Sequence, residues 1–257
     1  MGNRLLKNKP LVEAILETKW KPVAGGPNAP IDPQYRVFMG RFYDRVSQAY
    51  PAYEALQTAA IPEEMSFQMP QYRFRTKENE WPLIQLGPGV LTLNETNAYE
   101  WNDFEKRANW TLERLFESYP GKLELQSLLL RYINAVEIDY SKEAVTSFLR
   151  EKMKIGVTYP ESLFQCGKVD QIPAGFVLQT SFLANEPKGI VQIKFSKGKV
   201  NERPVLLWDT SVMSRGNDLP ELPAEFPEWV SSAHLIAEDW FFKLIDGELL
   251  QRFQGVE

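Results

Sequence analysis

Residues Leu123 to Tyr140 read LELQSLLLRYINAVEIDY, and this stretch decides the fold. Leu128, Leu130, Tyr132, Asn134, Val136 and Ile138 fall on every second position, the period at which side chains share one face of a β-strand. The run is long and mostly apolar, which predicts a central strand. Pro10 to Trp20, PLVEAILETKW, alternates Leu11, Glu13, Ile15 and Glu17 against Val12, Ala14, Leu16 and Thr18 and predicts a second strand.

Working outward from these two strands, VAGGPNAP interrupts regular structure, and Asp32-Pro33 supplies a helix cap followed by proline at the first helical position. Tyr35, Phe38, Met39, Phe42, Val46 and Ala49 then recur at helical spacing up to Pro51, with Arg36, Arg41 and Asp44 elsewhere on the helix. QYRFRTK (71–77), WPLIQL and VLTLN form a meander, turning at Glu78-Asn79-Glu80 and at Gly87-Pro88-Gly89, whose two glycines can take positive φ. Trp101, Phe104, Ala108, Leu112, Leu115 and Tyr119 mark a second helix, closed by Pro120-Gly121.

Beyond the central strand, Ser141 can cap a helix running to Met153, and a loop containing Pro160 and Pro173 follows. GFVLQTSFL, GIVQIKF and PVLLWDTSVM read as three strands, joined by NEPK and by the polar SKGKVNER. A last helix spans about Glu228 to Phe253, weakened at Gly247. Strand, helix, three strands, helix thus occurs twice. The expected fold is α+β: pseudo-duplicated βαβββα halves, residues 1–121 and 122–257, in one compact unit whose largely antiparallel sheet carries its helices on one face.

The 257 residues are 44% hydrophobic and 25% charged, ordinary for a globular chain, and include 7 Trp, 10 Tyr and 15 Phe. A net charge of −5 opposes contact with phosphate backbones, so no nucleic-acid partner is expected. Lys7 and Lys9 interrupt the apolar start that a signal peptide needs, and no run approaches the ~18 apolar residues of a membrane span. A cytoplasmic protein without membrane association is expected. Gly2 invites myristoylation, but Leu6 stands where that signal wants Ser or Thr. Cys166 is the single cysteine and His234 the single histidine, too few to complete a structural zinc site or an intrachain disulfide.

The same scarcity bears on catalysis. A nucleophilic triad needs a base, and His234 falls mid-helix. Neither GxSxG nor GxxxxGK[ST] occurs, and GPG and AGG are too short for a dinucleotide fingerprint. No catalytic residue, metal site or cofactor is therefore expected. A carboxylate or metal-dependent enzyme would need Asp209, Glu238 or Asp239 to converge, yet Glu238 and Asp239 are helix neighbours pointing about 100° apart. His234 and Glu238 are spaced to pair on one helix face. Arg131, inside the apolar strand, demands a partner if buried, and Asp209 is the first one to look for. Arg73, Arg75 and Lys77 read as the charged guard of an edge strand, with an anion-guiding groove as the alternative. Cys166 lacks a neighbouring base and reads as inert.

Several segments together, KPLVEAILETKW, PLIQLGPGVLTLN, YEWNDF, LLLRYINAVEI, LLWDTSV and HLIAEDWFFKLIDGELLQRF, resemble a sporadically distributed family of uncharacterised bacterial proteins of about this length. The resemblance implies a bacterial or phage-related origin and sets Arg131, Tyr132, Asn134, Asp209 and His234 at motif positions. It implies no particular activity. Its patchy distribution, shared with defence and toxin–antitoxin cargo, implies an immunity- or antitoxin-like partner role. The element order also resembles helix-grip and related folds, in which a cavity forms between sheet and long helix. The leading expectation is a binding protein that takes a protein partner or small ligand in such a groove. The alternatives are the carboxylate enzyme and a structural homodimer subunit joined through strand edges or the terminal helix.

Overall fold

The computed structural model describes residues 6–22, 24–26, 29–96 and 98–255. In chain order its elements are β1 (Leu11–Trp20), a hairpin of β2 (Ala24–Gly26) and β3 (Ala29–Ile31), α1 (Tyr35–Val46), β4 (Ala52–Ala55), α2 (Glu63–Ser66), β5 (Tyr72–Arg75), β6 (Leu83–Gly87), β7 (Val90–Glu95) and α3 (Trp101–Ser118). Then come β8 (Leu125–Glu137), α4 (Val145–Met153), β9 (Val177–Asn185), β10 (Lys188–Val200), β11 (Arg203–Arg215), α5 (Phe226–Ile245) and α6 (Glu248–Gln254). Nine strands make one antiparallel sheet in the order β4-β5-β6-β7-β1-β8-β11-β10-β9. The α+β class and the antiparallel sheet are as the sequence predicts. Among the described residues no helix is long and apolar enough to cross a membrane.

The two predicted central strands lie side by side. β1 pairs with β8 so that Ala14 faces Tyr132, Leu16 faces Leu130 and Thr18 faces Leu128. All six are buried, against Phe38 and Phe42 of α1, Phe104 and Leu112 of α3, and Val230 and Ala233 of α5. Farther along β8, Val136 joins Phe195, Leu206 and Trp208 under α4 and α6 in a second cluster. The alternate residues of these strands, including Glu13, Ile15, Glu17, Arg131 and Ile133, lie on the other face and are half-buried. The helices thus cover a single face.

Outward from the β1/β8 pair the order is β7-β6-β5 on one side and β11-β10-β9 on the other, with β4 added outside β5. This is the order two adjacent βαβββα units would give.

Four details depart from the sequence reading. The segment predicted to lack regular structure contains the β2–β3 hairpin. β5 is not an edge: β4 pairs with it, and Arg73 and Arg75 reach Glu54 of β4 at 3.7 and 3.5 Å, so these arginines join two strands instead of guarding a free one. Gly89 takes the positive φ of 80° that the turn requires, but Gly87 serves a close approach, since a Cβ there would lie 1.9 Å from the Met69 carbonyl oxygen. Ser141 does not cap α4; it donates to Asp139 in the preceding turn. The predicted weak point at Gly247 does divide the last helix, with φ at 118°.

Asp32 caps nothing in the simple sense either, because α1 begins at Tyr35 with Gln34 at the cap position. Its carboxylate is fully buried. It accepts hydrogen bonds from the Trp20 indole N–H at 2.9 Å, the Tyr119 hydroxyl at 3.0 Å and the Gln34 backbone N–H at 3.1 Å. One side chain therefore joins the end of β1, the start of α1 and the end of α3. A buried charge is tolerable when donors surround it, and removing the acceptor strands those donors in a dry core. Asp32→Ala is expected to cost about 3 kcal/mol of folding stability, measured by urea denaturation, with Asp32→Asn intermediate because one acceptor oxygen survives. A loss below about 1 kcal/mol for the alanine variant would contradict this role.

Candidate functional site

On α5 the residues His234, Ala237, Glu238 and Phe241 recur at the three- and four-residue spacing that places them on one face of a helix. That face shares a cavity with Tyr132 and Asn134 of β8 and Thr210 of β11, on the helix-covered face of the sheet. Tyr99 and Glu100, just before α3, with Trp101 at its start, form a third side, and Leu6, Lys9, Pro10 and Leu11 complete the lining. Together they line a partly open cavity of about 190 Å³.

The strand alternation supplies the polar groups on its floor. Tyr132 stands opposite Thr210 and Asn134 opposite Trp208 across the β8–β11 ladder, so Tyr132, Asn134 and Thr210 all point to the helix side, where they are buried. Tyr132 is the middle of a hydrogen-bonded chain. Its hydroxyl lies 2.8 Å from the Tyr99 hydroxyl and 2.9 Å from Nδ1 of His234. The His234 ring stacks on Trp101 with centroids 3.7 Å apart and planes 8° from parallel.

Burial sets the protonation of this chain. It pushes His234 down to about 4 and raises both tyrosine hydroxyls well above their ordinary value. At neutral pH all three groups are therefore uncharged, and the protons can be arranged in either direction along the chain, with Nδ1 accepting in one and donating in the other. Near neutrality the chain presents a neutral polar wall to the cavity.

Thr210 differs from its neighbours. Its Oγ1 is buried and finds no hydrogen-bond partner among the described residues, and of the buried side-chain atoms in that condition it is the one on the cavity wall. Glu238 is half-buried there and makes no ion pair among the described residues. Also on the lining, Lys9 donates to the Tyr99 carbonyl at 2.8 Å and pairs with Glu100.

Of the five residues singled out from the sequence, the structure brings three together: Tyr132, Asn134 and His234. Arg131 and Asp209 are one residue away from Tyr132 and Thr210 and for that reason point to the opposite face. There they bind each other, Arg131 Nε donating to Asp209 Oδ2 at 2.8 Å, the contact anticipated from the sequence. Glu13 and Glu17 on β1 add to the field around Arg131. The expected His234–Glu238 pairing is replaced by the bond from His234 to Tyr132.

The carboxylates proposed for an enzyme do not converge: Asp209 lies across the sheet from Glu238, and Asp239 accepts from Lys243 at 2.7 Å. Among the described residues no three His, Cys, Asp or Glu side chains are grouped to hold a metal. Sequence reasoning missed Thr210, Tyr99, Trp101 and Lys9. Thr210 was available from the alternation once Trp208 was placed inside, whereas Lys9, Tyr99 and Trp101 reach the site through tertiary packing. No family model matches the chain, and no curated protein matches it.

The buried His234 makes stability depend on acid. Its folded value of about 4 lies below the ordinary 6.5, so between these limits the unfolded chain takes up a proton that the folded chain does not. The stabilisation is complete above pH 6.5 and is lost as pH falls from there towards 4, by about 3 kcal/mol at about 1.4 kcal/mol per unit. Urea denaturation of wild type and His234→Gln across this window checks it: the variant should lose correspondingly less, and parallel curves would refute the assignment.

Proposed function

We propose that the protein binds a small molecule in the cavity between β8, β11 and α5. The observation that carries this reading is the Thr210 hydroxyl, buried and without a hydrogen-bond partner among the described residues, on a wall that also carries Tyr99, Trp101 and Phe241. Leaving such a group without a partner costs roughly 1–3 kcal/mol, which a ligand hydrogen bond would recover. A dry cavity of about 150 Å³ admits benzene, so about 190 Å³ suits one ring with a short polar arm. Tyr99, Trp101 and Phe241 offer the apolar contact, and Thr210 and Asn134 the polar one. Ligand-observed NMR with benzyl alcohol as probe tests the reading. Binding is expected in the wild type, weaker by roughly tenfold in Thr210→Val and abolished in Ala237→Phe, which fills the space. Failure of the wild type to bind would remove the proposal.

A second reading, self-association, rests on β9. This edge strand, VLQTSFLAN, is nine residues long, carries neither charge nor proline, and pairs with β10 in an unbroken register. Leu183 on it is 88% exposed. Edge strands are ordinarily blunted by charge, proline or shortness. The opposite edge, β4, is so blunted, with four residues, Glu54 and a preceding Pro51. An uncharged strand meets no like-charge repulsion from its own copy, and antiparallel β9–β9 pairing of two chains would cover both edges. Light scattering after size exclusion should give a dimer, and Ser181→Pro a monomer; a wild type that stays monomeric at high micromolar concentration rules it out.

A further inference from the structure

Charge on the cavity wall narrows the ligand further. Besides Tyr99, Tyr132 and His234, three ionisable side chains line it: Lys9, Glu100 and Glu238. Lys9 and Glu100 are bonded to each other and cancel. His234, stacked on Trp101 and hydrogen-bonded to Tyr132, contributes no compensating cation. Glu238 is therefore without an ion-pair partner among the described residues, half-buried, one turn from His234 and on the same cavity lining as Trp101 and Phe241. The remaining polar atoms on the floor, Thr210 Oγ1 and the Asn134 carbonyl oxygen, are able to accept hydrogen bonds as well.

We infer that the ligand is a small organic cation, a primary ammonium carried on a single six-membered ring or an equally compact apolar body. This rests on the reading of the cavity as a ligand site. An ammonium group supplies the charge that Glu238 lacks and N–H donors that both the carboxylate and Thr210 can accept. The ring occupies the apolar part, and aromatic faces within reach of the cation add attraction. A quaternary ammonium would bring charge but no donor, and a carboxylate ligand would face Glu238 with like charge in a partly desolvated site. The volume of about 190 Å³ limits the body to about one ring.

Isothermal titration of the intact protein with benzylammonium, benzyl alcohol and benzoate tests the charge preference on three probes of nearly equal shape. Benzylammonium should bind the wild type at least about tenfold more tightly than benzyl alcohol, as a charge-assisted hydrogen bond allows, with a preference that shrinks at high salt, and benzoate should bind worst. Glu238→Gln, checked for folding by its thermal unfolding, should bring the first two affinities together. Equal binding of benzylammonium and benzyl alcohol by the wild type would overturn the cation inference and leave the cavity reading standing. Absence of binding by all three would overturn the cavity reading itself.

Discussion

The register of β1 on β8 places every side chain that matters for the core and for the cavity. With Leu16 opposite Leu130 and Ala14 opposite Tyr132, one set of alternate residues on each strand meets the helices. A slip of a single position on β8 would exchange Leu128, Leu130 and Tyr132 for Leu129, Arg131 and Ile133, and so carry a guanidinium into the aromatic interior. On the open face that same guanidinium is held by Asp209 between Glu13 and Glu17. The ion pair is partly solvated, with Arg131 38% exposed, and adds little to stability by itself. Its effect is on specificity: the wrong register would have to bury Arg131 apart from this acid-rich setting.

Two polar networks inside the core differ in how far they are closed. Around Asp32 the donors of Trp20, Tyr119 and Gln34 converge on one carboxylate, a closed arrangement that fastens the start of α1 to the sheet. Near His234 the chain of hydroxyls is also satisfied internally, but it borders a cavity where Thr210 is left over. A closed network rigidifies; an unfinished one beside open space offers a place for an outside partner.

Much of this was legible in the sequence because it depends on short-range periodicity. The alternation in LLLRYINAVEI put Tyr132 and Asn134 inside and left Arg131 to seek a partner outside, and the same rule on LLWDTSV pointed to Asp209. What could not be read was contact between distant segments. Asp32-Pro33 has the form of a helix start, and nothing local reveals that Trp20 and Tyr119 will both donate to its carboxylate. β4 is too short to show an alternation, so β5 looked like an edge. His234 has a nearby acid at helical spacing, but burial under Trp101 and a hydroxyl from β8 outweigh a neighbour that shares its helix. Asp209 and Glu238 stay apart for a simpler reason, since neighbours along a strand alternate in direction, and Asp209, between Trp208 and Thr210, faces away from α5.

Neutrality of the Tyr99, Tyr132 and His234 chain has an electrostatic consequence for Glu238. Had the histidine kept its ordinary value, a protonated ring one turn away on α5 would balance the carboxylate over part of the physiological range, and the cavity would have little preference for charge. Burial against Trp101 and Tyr132 removes that balance. The same packing therefore leaves the half-buried Glu238 without a cation beside it on α5. On the proposed reading of the cavity as a ligand site, its preference for a cation would hold only while His234 stays unprotonated.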